Sequence, residues 1–379
     1  MTTLCKVDAA VIGGGIMGGA IAYQLAKAQK RVALLERHFI GSEASGRNGG
    51  GVRIQGRHPF EIPLALLSVE LWKTLAQELK TETEYRQGGN IWLALNADEF
   101  EHMKFLAPAQ KDLGVSLEIL DPVEIGKLNP YIAAENIFGG CYSPNCGNAN
   151  PILTTRGYAN AAARAGALIF EKTNVLGICV SKGEVRGVST SRGEVQSSIV
   201  VLTAGAWTPM LAEIVGLEVP IHPARDQLMV TEPLPAFLKE FIISSRVYFR
   251  QAVSGGVHIG TVDLPHRAFD QTTDPRDLSN AAVAVNQLLP SLQSVKVVRS
   301  WAGTTEKTPD DIPILGFVGE PTGLLIAAGF SGHGFALGPA IGKLISELIV
   351  GGKPSISVEK FHLSRFRDNP QGTPAPHWR

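Results

Sequence analysis

Val7-Asp8-Ala9-Ala10-Val11-Ile12-Gly13-Gly14-Gly15-Ile16-Met17-Gly18 is the stretch whose reading decides the fold. Residues 7–12 are mostly apolar and too few for a helix, so they predict a buried strand. Gly13, Gly15 and Gly18 then fit G-x-G-x-x-G. The spacing predicts a helix over 16–29 and a second strand over 31–36, which completes a strand–helix–strand unit. That context gives the glycines meaning. The first allows a tight turn, the second lets backbone approach a pyrophosphate, and the third lets helix and strand pack closely. The helix start offers free N–H groups and a partial positive charge to an anion. Glu36 ends the second strand, roughly 20 residues past the turn, where an acid accepts hydrogen bonds from ribose hydroxyls.

Two further stretches favour a flavin dinucleotide over a nicotinamide one. Glu36-Arg37 leads into Gly41-Ser42-Glu43-Ala44-Ser45-Gly46-Arg47, continued by Asn48-Gly49-Gly50, a loop suited to a second pass along the pyrophosphate and flavin. Val200 to Leu202 reads as a buried strand running into Thr203-Ala204-Gly205-Ala206-Trp207, where small residues let backbone approach a cofactor.

Composition narrows the rest. The chain has 379 residues, enough for two domains, and 44% of them are apolar. Lys plus Arg equals Asp plus Glu, so net charge is zero and a nucleic-acid partner is not expected. The four cysteines, Cys5, Cys141, Cys146 and Cys179, form no CxxC pair, so neither a disulfide framework, a zinc site nor any other metal site is expected. Apolar runs are short or broken, which predicts no membrane span and no export signal, hence a cytoplasmic protein. Beyond the first unit, helices are predicted over 61–80, 97–113, 151–167 and 339–350. Strands are predicted over 89–95, 139–142, 168–171, 175–180, 184–190, 198–203 and 324–329. Alternation at 227–231, 247–251 and 257–260 predicts an antiparallel sheet in the middle.

These residues together resemble the FAD-dependent amine and amino-acid oxidoreductases typified by D-amino-acid oxidase, glycine oxidase and sarcosine oxidase. The resemblance runs from Val7 to about Lys353. Its more specific motifs are Thr203-Ala204-Gly205-Ala206-Trp207, Arg299-Ser300-Trp301-Ala302-Gly303 and Ala327-Ala328-Gly329-Phe330-Ser331-Gly332-His333-Gly334. Trp301-Ala302-Gly303, Lys307-Thr308-Pro309-Asp310 and Gly329 to Phe335 resemble in particular the flavin β subunits of proline or hydroxyproline dehydrogenase and opine (octopine/nopaline) oxidase. The resemblance implies an α/β fold: a Rossmann-like FAD-binding domain of the GR2 type (1–84, 144–218, 301–365) interleaved with a mostly antiparallel-sheet substrate domain (85–143, 219–300). Residues 366–379 are expected to form a tail. It also implies noncovalent FAD, held by Gly13, Gly15, Ile16, Met17, Gly18, Glu36, Arg37, Ser45 to Gly50, Val175, Ala204, Gly205, Trp207, Gly303 and Phe330 to Phe335. Val175 would hold the adenine. Gly303 and Gly332 to Phe335 would line the flavin ring, where N–H groups stabilise negative charge.

Departures from the family pattern shape the expected chemistry. Glycine-oxidase-like enzymes place an Arg just after Ala302-Gly303; here Thr304 and Thr305 stand there. Monomeric sarcosine oxidases attach FAD to a Cys whose position here is Gly303, which excludes that linkage. They also use a Lys to activate oxygen, and the nearest match here is His258. This favours a dehydrogenase over an oxidase. Residues 147–151 carry no His, so any FMN at a subunit interface would be noncovalent. The expected substrate is an amino acid or secondary amine that presents a C–H next to nitrogen to the flavin, largely through positioning. Its carboxylate needs Arg or Tyr. Arg53, Tyr248 and Arg250 lead the candidates, with Arg57 and Arg299 behind. Tyr248 and Arg250, two apart on a strand, face the same way. His333 is expected to touch the flavin, and Asp310 and Asp311 to serve a turn. Other dehydrogenase subunits are the expected partners. The alternatives are a self-contained oxidase producing peroxide and an FAD-binding protein without catalysis.

Overall fold

A computed structural model describes residues 2–262 and 269–372; residues 373–379 of the expected tail lie outside the described residues. A six-stranded sheet holds the first unit. Its order is Ile314–Phe317, Leu324–Ala328, Val200–Leu202, Ala9–Ile12, Val32–Leu35, Leu168–Phe170. All neighbours are parallel except the antiparallel pair at the Ile314–Phe317 edge. The four inner strands are buried on both faces, which is why they read as unbroken apolar runs. The two faces still separate by period 2: Ala9, Val11, Val32 and Leu34 join the helical core, while Ala10, Ile12, Ala33 and Leu35 join the opposite core. The opposite face is covered by a four-stranded sheet, Thr3–Lys6, Gly193–Gln196, Glu184–Thr190 and Val175–Ser181.

Ala9–Ile12 lies between the second strand in sequence and a much later one, so the direction of strand progression reverses there. Ligands of open α/β sheets bind outside the strand C-termini at this switch point. Gly13 stands at that place.

Helix Ile16–Lys27 packs against Gly334–Gly351, which in turn packs on Ile62–Glu78. Small residues allow the first contact: a Cβ on Gly342 would sit 2.7 Å from Ala20 Cβ. Gly334–Gly351 is long and apolar enough to cross a membrane by length and composition, but its apolar face is buried between these helices. It begins five residues before the expected start at Pro339. Pro339 lies inside it and disturbs the local hydrogen-bond ladder. One turn on, Ser68 bridges the ladder: its Oγ donates to the Ala336 carbonyl at 2.6 Å and accepts from Ala340 N at 3.4 Å, while Trp72 Nε1 donates to the same carbonyl at 2.9 Å.

The second domain is an eight-stranded sheet in the order Val297–Lys307, His222–Thr231, Val257–Thr261, Val247–Gln251, Phe241–Ile243, Asn90–Ala94, Gly139–Ser143, Glu118–Leu120. Helix Pro275–Leu288 packs on it, with Asp274 capping the start and Pro275 at the first turn. This helix interrupts the mostly antiparallel sheet expected over 219–300. The domain division expected at 300/301 falls inside the single strand Val297–Lys307, which pairs with His222–Thr231 along most of its length. The expected tail also begins inside packed structure: Phe366 is buried, and Arg365 Nε donates to Asp310 Oδ2 at 2.8 Å.

Candidate active site

The glycine turn is packed too tightly for side chains. A Cβ on Gly13 would lie 2.4 Å from the Thr203 carbonyl oxygen, and one on Gly18 would lie 1.9 Å from that of Gly13. Helix Ile16–Lys27 has no side-chain cap from Gly15. Ser45 of the following loop supplies a partner instead, its Oγ accepting from Ile16 N at 3.0 Å. Glu36 is buried, its Oε2 accepting from Gly14 N at 2.8 Å and its Oε1 from His38 N at 2.7 Å. These two bonds fix the carboxylate beside the turn.

From this turn a cavity of about 1100 Å³ runs to the second domain. Glu36, Arg37 and Val175 line one end, with Trp207 beside them. The Arg37 guanidinium stacks 3.9 Å over the Trp207 ring. The loop over 41–51 forms one side. Asn48 Nδ2 donates to the Ala44 and Ser45 carbonyls, and its Oδ1 accepts from Gly50 N at 2.8 Å. Arg47 reaches across to the other domain, donating to the Ala302 carbonyl at 2.9 Å, while Trp301 Nε1 donates to the Arg47 carbonyl. Gly303 is therefore pressed against Arg47, 3.1 Å from where its Cβ would be.

The far end is lined by Arg53, Tyr248, Phe241, Ile243, Leu228 and Thr261, facing the turn Phe330 to Phe335. Tyr248 stacks on Phe241 with ring centroids 5.7 Å apart, an arrangement contributing about 0.5–1.5 kcal/mol beyond burial. Burial pushes the Tyr248 hydroxyl far above its ordinary value, so it remains a neutral donor. Ser331 and Asp311, both at the cavity, adopt positive φ of 50° and 57°, rare for residues with a Cβ. Ser331 Oγ accepts from Thr308 N at 3.2 Å, and Lys307 Nζ lies 3.2 Å from Asp311 Oδ1.

Six expected site residues do not line the cavity: Arg250, His258, Gly18, Gly46, the buried Arg57, and Arg299, which is exposed and lies over the Trp301 ring. Arg250 is 3% exposed and lies behind the loop wall. Its Nε donates to the Gly49 carbonyl and its Nη1 reaches Asn148 Oδ1 at 3.5 Å, so it braces the loop from the back instead of meeting a substrate carboxylate. Burial lowers its pKa to about 10. His258, opposite Arg250 in register, packs edge-on against Trp301, and its buried Nδ1 has no partner among the described residues. Burial and the Arg250 charge lower its pKa to about 3. Gly18 and Gly46 serve packing: a Cβ on Gly46 would lie 2.0 Å from the Gly41 carbonyl oxygen. Residues 147–151 are not a free surface either, since Gly147–Asn148 pairs with Gly51–Val52 under the loop.

Sequence reasoning missed Glu61. This fully buried carboxyl lies 3.0 Å from His333 Nδ1 and 3.6 Å from Arg57 Nη1. Burial raises its pKa to about 7 against the pull of Arg57. Nothing in the sequence marked it beyond the i, i+4 spacing from Arg57. It also missed Glu306 and Lys307 on the cavity wall; burial raises the Glu306 carboxyl. In sequence these are only two more charges on a strand.

A parallel sheet with a glycine turn at its switch point, joined to a second domain across one long cavity, defines a dinucleotide-cofactor oxidoreductase. The chain belongs to the FAD dependent oxidoreductase (DAO) family, whose model matches residues 8–348. It is 30% identical to glycine oxidase of Geobacillus kaustophilus over 95% of this chain and 97% of that one. It is also 30% identical to sarcosine oxidase subunit beta of Rhizobium meliloti, over 95% and 88%. The crystal structure of L-proline dehydrogenase from P. horikoshii matches with a TM-score of 0.91 at 32% identity, covering 96% of this chain and 98% of that one. The protein is thus an FAD-dependent oxidoreductase acting on amino acids or amines. The residues fit the cofactor. The Gly13–Gly15 turn has no side chain to block a pyrophosphate, Glu36 keeps unused lone pairs at the ribose end, and Gly303 offers no thiol for attachment.

Proposed function

We propose that this chain is a dehydrogenase oxidising the C–N bond of an amino acid or secondary amine of opine, proline, hydroxyproline or sarcosine type. It works as the flavin subunit of a larger complex and passes electrons to an acceptor other than oxygen. The observation that carries this is Arg53 and Tyr248 sharing one cavity with the Phe330–Phe335 turn. The Arg53 guanidinium takes the substrate carboxylate and the Tyr248 hydroxyl donates to it. Phe241, Ile243 and Leu228 exclude water and favour the neutral amine, whose nitrogen lone pair forms the C=N bond as the adjacent hydrogen leaves. Bound FAD supplies the hydride acceptor, held noncovalently by the Gly13–Gly18 turn and the loop over 45–50.

Thr304 and Thr305 stand where a glycine oxidase has its arginine, which supports a bulkier or secondary amine. The subunit role draws on the likeness to the sarcosine oxidase subunit beta, and the dehydrogenase reading on the likeness to the proline dehydrogenase. A self-contained oxidase is the second reading, supported by the glycine oxidases among the relatives. The test is anaerobic flavin bleaching by opines, proline, hydroxyproline, sarcosine and D-amino acids. Reduction of a dye with little peroxide is expected. Stoichiometric peroxide from the isolated chain selects the second reading, and no bleaching by any amine overturns both.

A further inference from the structure

Glu61 begins helix Ile62–Glu78, yet its carboxylate does not cap that helix. It turns instead to His333, which begins helix Gly334–Gly351 and lines the cavity. Oε2 lies 3.0 Å from His333 Nδ1, with Glu61 0% and His333 11% exposed. On the other side, Arg57 Nη1 lies 3.6 Å from Oε1, and Arg57 Nε donates to the Arg53 carbonyl at 3.0 Å. One buried chain of groups therefore joins the two sides of the cavity, Arg53 and His333. Among the described residues, His333 Nε2 has no hydrogen-bond partner and is not a buried orphan, so it opens on the cavity.

We propose that Glu61 is a positioning residue that decides which ring nitrogen of His333 carries the proton, and so whether Nε2 meets the substrate as acceptor or donor. An ionised carboxylate can only accept. Nδ1 then bears the proton and Nε2 presents a lone pair. A protonated carboxyl donates to Nδ1, and the neutral ring must carry its proton on Nε2. The doubly protonated ring is disfavoured by burial and by Arg57, Arg53 and Lys307, with Asp311 opposing. Two helix N-termini converge on the pair and act in the same sense. Arg57, His58 and Arg53 favour the ionised carboxyl, while burial and Asp311 oppose it, and the balance falls at about 7. The exchange therefore lies in the neutral range. Above it His333 Nε2 can accept an N–H from a substrate amine; below it His333 cannot.

The test is ring-nitrogen NMR of the full chain with labelled histidine and bound FAD, between about pH 5 and 9. The His333 signal is identified by its loss in His333→Asn. The two ring nitrogens are expected to exchange protonated and unprotonated shifts near neutrality. In Glu61→Gln the amide cannot titrate, and one tautomer should persist throughout. A wild-type ring that keeps one tautomer, or that becomes doubly protonated, overturns the proposal. So does exchange that survives in Glu61→Gln. The wild-type titration decides alone if that variant fails to fold. A kinetic arm rests on the proposed amine oxidation: the pH profile of flavin reduction should lose one ionisation in Glu61→Gln, and a profile keeping it counts against the proposal. Tautomer exchange without bleaching by any amine would leave this assignment standing and remove the proposed function instead.

Discussion

Replacing Glu36 by Gln separates folding from cofactor binding at the adenosine end of the cavity. Glu36 has two oxygens and roughly four lone-pair positions. Two of these accept from Gly14 N and His38 N at 2.8 and 2.7 Å. The others remain for ribose hydroxyls. An amide keeps one oxygen and turns the other position into a donor, so one buried backbone N–H faces an N–H. Such an orphaned donor costs about 1–3 kcal/mol. At roughly 2–4 °C per kcal/mol for domains of this size, the chain without flavin should melt several degrees lower. The chain with flavin loses in addition a hydrogen bond to a charged acceptor, about 1.5–3 kcal/mol. That corresponds to roughly ten- to a hundredfold weaker FAD binding. Melting of the stripped chain and fluorescence titration with FAD measure the two parts. A variant with unchanged melting and unchanged affinity would refute the geometry assigned to Glu36.

Further outcomes follow from named contacts. Gly18→Ala places a methyl 1.9 Å from the Gly13 carbonyl oxygen, so the purified variant should carry little flavin; a fully yellow protein would contradict the packing. Arg53→Met and Tyr248→Phe should raise KM for a carboxylated amine by tenfold or more while melting changes little, since each loses a hydrogen bond to the charged carboxylate, about 1.5–3 kcal/mol. Arg250→Met should show the reverse, a lowered melting temperature and loosened flavin with KM little changed, because its partner is the Gly49 carbonyl; steady-state kinetics and melting of the three variants decide. Glu61 makes stability depend on pH in an unusual direction. Its carboxyl is raised from 4.5 to about 7, so the folded chain binds the extra proton and stability falls as pH rises through that window. The buried neutral His333 acts oppositely, losing stability as pH falls below 6.5. Subtracting the Glu61→Gln denaturation profile from that of wild type should reveal the falling slope; a flat difference rules it out.

The parallel sheet was legible because its inner strands are buried on both faces and must be apolar throughout. Other strands lack either that pattern or the length to show it. Thr3–Lys6 has exposed ends and central residues only partly buried, so it carries little pattern. Phe241–Ile243 is three residues long and exists because Asn90–Ala94 lies beside it in parallel register. Helix Pro275–Leu288 did announce itself through Asp274 and Pro275, a capping residue followed by a first-turn proline. The alternation at 227–231, 247–251 and 257–260 says nothing of the residues that follow. The start of Gly334–Gly351 was misplaced. Pro339 looks like a first-turn proline, but Ser68 and Trp72 from another helix satisfy the Ala336 carbonyl nearby. No local pattern contains that information.

The site shows the same division between what spacing determines and what depth determines. Tyr248 and Arg250 do share a face of their strand, as period 2 requires. Along the strand they are about 7 Å apart, two residues of rise. The wall they approach is not flat at that scale. Tyr248 crosses Gly260 and Gly49, where a Cβ on either would come within 2.4 Å of its ring, so missing side chains open a path for the ring to the cavity. Arg250 meets the carbonyl of Gly49 and stops there. The glycines that admit one side chain supply the carbonyl that detains the other. Which side chain of that strand reaches the cavity is therefore chosen by the backbone of a loop some 200 residues away in sequence, and Arg53, on the continuation of that loop, lines the same cavity.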